Sequence, residues 1–215
     1  NLAPRVIRGA ESRGMLLAPL CGTRPADGPG LPGVTQGACA VTPPVKLLPP
    51  YPDTRTFIAA ALPGARASLQ RSRVPVSVTL AQGILETGGG KSSALGNNFF
   101  GIKARATDTP GVFAWGPNAV GCTITKTRES ERGGLVMTVG AFRAYTTLDA
   151  SILDHGDLLT SNPVYRAAFK YTGDPDRFMA EIARYYATDP GYRAKLRAVV
   201  RDYDLARYDV PVQSP

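Results

Sequence analysis

The chain has 215 residues, 43% of them hydrophobic and 20% charged, enough apolar material to fill one good core. No run of about 18 apolar residues occurs, so no helical membrane span is expected. Its 25 Lys+Arg against 17 Asp+Glu give a net charge of +8, which favours polyanionic partners. The basic residues are scattered and form no nucleic-acid motif, so no nucleic acid is expected as a partner. With one His in the chain, a Cys/His metal centre is not expected either, and nothing calls for an organic cofactor. The first residue is Asn1 rather than Met, which predicts a mature or trimmed form.

Residues 1–50 read as a Pro/Gly-rich irregular extension. Ten of the 19 prolines lie before residue 54, and PPVKLLPPYP (43–52) reads as a stiff, extended linker. A Cys21–Cys39 disulfide is expected to staple this segment in an oxidising compartment. Cys122, in a predicted strand, is expected to be a buried thiol.

A second, larger domain is expected over 51–210. Asp53 or Thr54 is expected to cap a first helix that runs through FIAAALPGARASLQRS, with Pro63-Gly64 as a break or kink. Pro75 suits the first turn of a second helix, VSVTLAQGILETG. Its apolar residues (Val76, Val78, Leu80, Ala81, Ile84, Leu85) wrap most of its surface and predict burial. Gly88, Gly89 and Gly90 stop that helix just after Glu86. Residues 104–117 read as loop. CTITKTRE (122–129) and LVMTVGAFRAY (135–145) alternate as strands and predict a hairpin with its turn at Ser130–Gly134. Helices follow over 148–159, around Tyr165, through FMAEIARYY and through GYRAKLRAVVRDY. The fold class is therefore α+β, mainly α.

One carboxylate at the negative end of a buried helix should have a raised pKa, the requirement for a general acid near neutral pH. Glycoside hydrolysis usually places a second carboxylate across the cleft. Glu129, at the end of the first hairpin strand, fits that role, and Glu131 is its rival two residues on. Arg143 and Asp154 read as internal ion-pair partners and His155 as structural. One ring of Phe99 and Phe100 is expected in the groove.

AQGILETGGGKSSALGNNFFGIK (81–103) resembles the signature of the glucosaminidase family of peptidoglycan hydrolases, glycoside hydrolase family 73. ITKTRE, AFRAYTTLDASILDHGDLLTSNPVY and YYATDPGYRAKLRAVVRDYDL resemble its later motifs in order, over about residues 54–208. The resemblance implies a lysozyme-like fold, with a helical lobe and a β-hairpin lobe flanking a groove. It implies cleavage of the β-1,4 bond between N-acetylglucosamine and N-acetylmuramic acid by a secreted or periplasmic, cell-wall-associated monomer whose partner is the peptidoglycan glycan strand. Glu86 falls on the family's catalytic acid, Glu129 on its second glutamate and Tyr186 on a tyrosine beside the acid. Asn98, Phe100 and Tyr165 fall on substrate-binding positions; no metal is implied. A lytic transglycosylase on the same fold and an inactive wall-binding module are the alternatives. Gly89 stands where Trp is usual, His155 where Tyr is common and Tyr185 where a small residue is usual. Tyr185 is expected to fill the space left at Gly89.

Overall fold

The computed structural model describes residues 35–92, 95–131, 134–186 and 189–209; the side chains of residues 127–136 lie outside the described residues. Helix α1 (Thr54–Ser72) starts where expected, because the Asp53 carboxylate accepts the Thr56 backbone N–H at 2.8 Å. Pro63 lies inside it without ending it. Phe57, Ile58 and Ala61 before the proline, and Ala65 and Ser68 after it, bury one continuous face. Packing on both sides thus outweighs the hydrogen bond that proline removes.

Helix α2 (Val76–Thr87) follows Pro75 and is buried along nearly its whole length. It is the central post of the helical lobe, touching α1, α3 (Leu148–Ser161), α4 (Pro175–Tyr186) and α5 (Tyr192–Asp202). A 3-10 segment, Pro163–Tyr171, joins α3 to α4. The core of this lobe holds Phe57, Leu80, Phe100, Ile152, Phe178 and Ile182. A helix buried on nearly every side belongs inside such a bundle rather than on its surface.

The second lobe is built on strands β4 (Gly121–Glu131) and β5 (Gly134–Ala144), paired antiparallel with Cys122 opposite Arg143 and Glu129 opposite Val136. The expected hairpin is present; its first arm is longer than predicted, and Ser130 and Gly134 of the expected turn pair as strand. Residues 104–117 depart from the loop expectation: β2 (Arg105–Ala106) and β3 (Val112–Trp115) form there. Strands of two and four residues are too short to show a period in sequence. They form because β3 has a partner on each edge, in a sheet of order β1-β3-β2.

Strand β1 (Thr35–Ala38) comes from the stretch expected to be irregular. The segment after it is no free tether. The Leu48 N–H donates to Asn97 Oδ1 at 2.8 Å, and Asn97 Nδ2 donates to the carbonyls of Lys46 and Tyr145 at 3.0 and 2.9 Å. The Tyr51 N–H donates to the Gly90 carbonyl at 2.9 Å. Residues 35–51 are therefore a strap laid over the domain; Cys21 lies outside the described residues.

The disulfide corrects the expected pairing. Cys39 is bonded to Cys122, 83 residues away, and not to Cys21; Cys122 is accordingly no free thiol. The physical reason lies in the strap: Ala40 bridges Thr123, and its N–H donates to the Cys122 carbonyl at 3.0 Å. That run brings Cys39 alongside the start of β4.

The two lobes are locked by a buried ion pair. Arg143 Nη1, on β5, donates to Asp154 Oδ2, on α3, at 2.8 Å, and the Tyr145 hydroxyl donates to the same oxygen at 2.6 Å. Asn118 Nδ2 adds a bond to Asp157 at 2.7 Å. The expected structural role of Arg143 and Asp154 is met. Asp154 is about 1% exposed, so the pair fixes the base of the hairpin against the helices.

Candidate active site

Glu86 stands on the last turn of α2. Gly88 terminates the helix at φ 61°, and Gly89 and Gly90 continue at φ 81° and 82°. Three successive left-handed residues require glycine, since any Cβ would strain the backbone. The turn is held tightly. The Thr87 hydroxyl donates to the Gly83 carbonyl at 2.6 Å and accepts the Gly90 N–H at 2.7 Å. The Glu86 backbone therefore has little freedom.

The Glu86 residue is half-buried. Burial pushes its carboxyl up to about 8, and no charge partner contributes to the shift. A carboxylate at a helix C-terminus also faces the negative end of the dipole, which acts in the same direction. Glu86 is therefore protonated at pH 7 and can donate a proton.

Two tyrosines feel its charge. Tyr186, the last residue of α4, and Tyr192, the first of α5, are both held well above the usual phenol range by burial and then by Glu86. Their rings stack in parallel, with centroids 5.7 Å apart. The Tyr186 hydroxyl donates to the Phe100 carbonyl at 3.4 Å. The Tyr192 hydroxyl accepts from Gln82 Nε2 at 3.0 Å. Gln82 lies one helical turn before Glu86, on the same face of α2. Its Oε1 meets His155 Nε2 at 3.0 Å. His155 is fully buried, stacked on Phe100 at 4.2 Å, and burial depresses its pKa to about 3, so it is neutral.

The sequence-predicted residues divide into two groups. Glu86 and Tyr186 come together. Asn98, Phe100 and Tyr165 lie beneath the site instead of open to the groove: they are 4%, 1% and 2% exposed. Asn98 is committed to its own loop, donating to the carbonyls of Ile102 and Arg143 and accepting the Ile102 N–H. Phe99 and Phe100 are both core, so the expectation of one ring in the groove is not met. Glu129 lies on β4 opposite Val136, and Glu131 opposite Gly134; both side chains lie outside the described residues.

The expected partnership of Tyr185 with Gly89 fails. Tyr185 is 47% exposed. The atoms that a Gly89 side chain would meet belong to Thr54, whose hydroxyl it would overlap. The first residue of α1 therefore takes that space. Sequence reasoning missed Tyr192 and Gln82. The available signal was the i, i+4 spacing of Gln82 and Glu86 on one helix face.

Residues 62–205 match the glucosaminidase family model, described as mannosyl-glycoprotein endo-beta-N-acetylglucosaminidase. The peptidoglycan hydrolase FlgJ of Pseudomonas aeruginosa is 34% identical, over 67% of this chain and 36% of its own length. The exo-glucosaminidase LytG of Bacillus subtilis is 30% identical, over 73% of this chain and 54% of its own length. This chain thus spans between a third and about half of those two relatives. The crystal structure of the catalytic domain of the autolysin Auto from Listeria monocytogenes superposes with a TM-score of 0.59 at 25% identity, covering 76% of this chain and 91% of that domain. The two-lobed α+β fold and the family match over most of the chain lead to one conclusion: the chain belongs to the glucosaminidase family of glycoside hydrolases.

Proposed function

We propose that the protein is a peptidoglycan N-acetylglucosaminidase that cleaves, within glycan strands, the β-1,4 bond between N-acetylglucosamine and N-acetylmuramic acid. The observation that carries this reading is Glu86: a carboxyl held protonated at neutral pH, on the last turn of α2 just before a turn of three glycines. Its proton goes to the glycosidic oxygen as the bond to the anomeric carbon breaks. Positive charge then develops on the sugar ring. Glu129 is the second carboxylate, activating water or stabilising that charge from the hairpin. Tyr186 holds the acid region against the Phe100 carbonyl. Asn98, Phe100 and Tyr165 shape the floor from below.

The relatives named as wall hydrolases support peptidoglycan as the substrate. The Cys39–Cys122 disulfide supports work outside the cytoplasm, in a secreted or periplasmic, wall-associated setting. The protein acts as a monomer on this reading. The test is reducing-end release from purified peptidoglycan across pH. Wild type should lose activity as pH rises through about 8, where Glu86 ionises. Glu86→Gln should be inactive throughout. A Glu86→Gln variant with wild-type rate would remove Glu86 from the role of acid.

A further inference from the structure

The surplus of positive charge is not spread evenly over the fold. Every Lys and Arg from Arg177 to Arg207, on α4, α5 and the segment after them, has a carboxylate within 3.8 Å. Those charges are cancelled where they stand. Helix α1 and its C-cap are the opposite case. They carry Arg55, Arg66, Arg71 and Arg73, and no acid occurs between residues 54 and 85. Arg71 is paired with Asp157 of α3 at 2.6 Å. Arg55, Arg66 and Arg73 are exposed and have no ion-pair partner among the described residues. Asp53, which feels Arg55, already takes the Thr56 N–H as the helix cap.

The three arginines recur along the outer side of α1, away from the face that buries Phe57, Ile58, Ala61 and Ala65. Arg66 follows Arg55 by about three turns and Arg73 follows Arg66 by about two, roughly 16 and 10 Å along the axis. That spacing is too wide for one phosphate and suits a flexible chain of repeated phosphates. Guanidinium groups take phosphate oxygens in pairs, and each such contact releases counterions. Two other partners fit this face poorly. No large apolar side chain is exposed on α1, so it has nothing to insert into a lipid surface. The aromatic residue of α1, Phe57, is buried, so no ring is offered to a base. The row starts beside the proposed site, because Thr54 takes the space at Gly89, in the turn after Glu86.

We propose that the Arg55–Arg66–Arg73 face of α1 is a docking track for a phosphodiester polymer carried on the wall, which holds the protein there while it cleaves the glycan. The wall as the source of that polymer rests on the peptidoglycan hydrolase reading; the phosphate chemistry rests on α1 itself.

The experiment is co-sedimentation of the full chain with purified wall that bears a phosphodiester polymer, before and after hydrofluoric acid has stripped the polymer, at low and moderate salt. Every protein carries Glu86→Gln so that the wall stays intact. The track variant adds Arg55→Gln, Arg66→Gln and Arg73→Gln. The control adds Arg177→Gln, Arg193→Gln and Arg201→Gln, which remove the same charge from paired positions. The expected result at low salt is that the parent binds untreated wall about tenfold or more tighter than stripped wall, and that salt weakens this preference. The track variant should lose the preference and the control should keep it. Arg66→Glu, one reversed charge in the middle of the row, decides the matter if the triple variant does not fold. Equal loss in the track variant and the control means that net charge alone acts, and overturns the proposal. Equal binding of the parent to both walls overturns it as well. Tighter binding to vesicles of anionic phospholipid than to untreated wall, lost in the track variant, assigns the face to a lipid surface and overturns the wall polymer. Release of glycan fragments from stripped wall by the wild type is read separately, so the hydrolase reading and the track can each fail without the other.

Discussion

Replacing Glu86 by Gln should make the protein more stable at neutral pH while abolishing its activity. The carboxyl titrates at 4.5 when free and at about 8 in the folded chain, because burial penalises its charge. At pH 7 the unfolded chain carries it ionised and the folded chain carries it protonated, so folding must take up a proton. From 4.5 to pH 7, at about 1.4 kcal/mol per pH unit, this costs about 3 kcal/mol. The sign follows from the raised pKa: stability is fully present below 4.5 and falls as pH rises, until about 8. Glutamine has nearly the same shape and no proton to take up. Urea unfolding at pH 4 and pH 7 reads the difference directly. The two proteins should be about equally stable at pH 4, and the variant more stable by about 3 kcal/mol at pH 7. His155, whose pKa is depressed from 6.5 to about 3, adds an opposite loss of stability below 6.5. It is present in both proteins and cancels. A stability gap that is the same at both pH values would refute the burial of the acid.

Three further outcomes follow from the packing. Replacing Cys39 and Cys122 by Ala should cost about 2–4 kcal/mol in thermal or denaturant unfolding, because the bond closes a loop of 83 residues. An unchanged midpoint under oxidising conditions would mean that the bond does not form. Asp154→Asn should destabilise by about 3 kcal/mol by leaving Arg143 facing an uncharged partner. It should also speed hydrogen exchange at the base of β5, and protection equal to wild type there would argue against the lock. Gly89→Trp, the residue usual in the motif that 81–103 resembles, should not improve the protein's activity. The position has φ 81° and its Cβ direction runs into Thr54, so loss of more than about 1 kcal/mol and lower activity are expected. Higher activity with full stability would contradict the description of the turn.

What could be read in advance was what the chain encodes locally. Asp53 three residues before a free N–H, Pro75 ahead of an apolar run and glycines after Glu86 each act within one turn of helix. Those elements appear where the residues place them. The alternating runs on either side of Ser130–Gly134 pair as a hairpin for the same reason. The misreadings all involve contacts between distant segments. Cys39 looked toward Cys21 because both lie in one glycine- and proline-rich stretch, whereas the strap carries it to Cys122. Strands β2 and β3 exist through β1, which periodicity cannot show. Phe100 and Tyr165 were legible as motif positions, but that both rings are fully buried depends on packing across the helical lobe, which a motif does not encode. Thr54 beside Gly89 and Tyr192 beside Gln82 are pairings across the fold, invisible until α1, α2 and α5 are packed.

The most direct test of the central claim is mass spectrometry of borohydride-reduced fragments from purified peptidoglycan treated with the wild-type protein or with Glu86→Gln. The account predicts new fragments ending in reduced N-acetylglucosamine from the wild type and none from the variant. Anhydromuropeptides would instead identify a lytic transglycosylase. Wall binding without new fragments from either protein would contradict the assignment as a hydrolase.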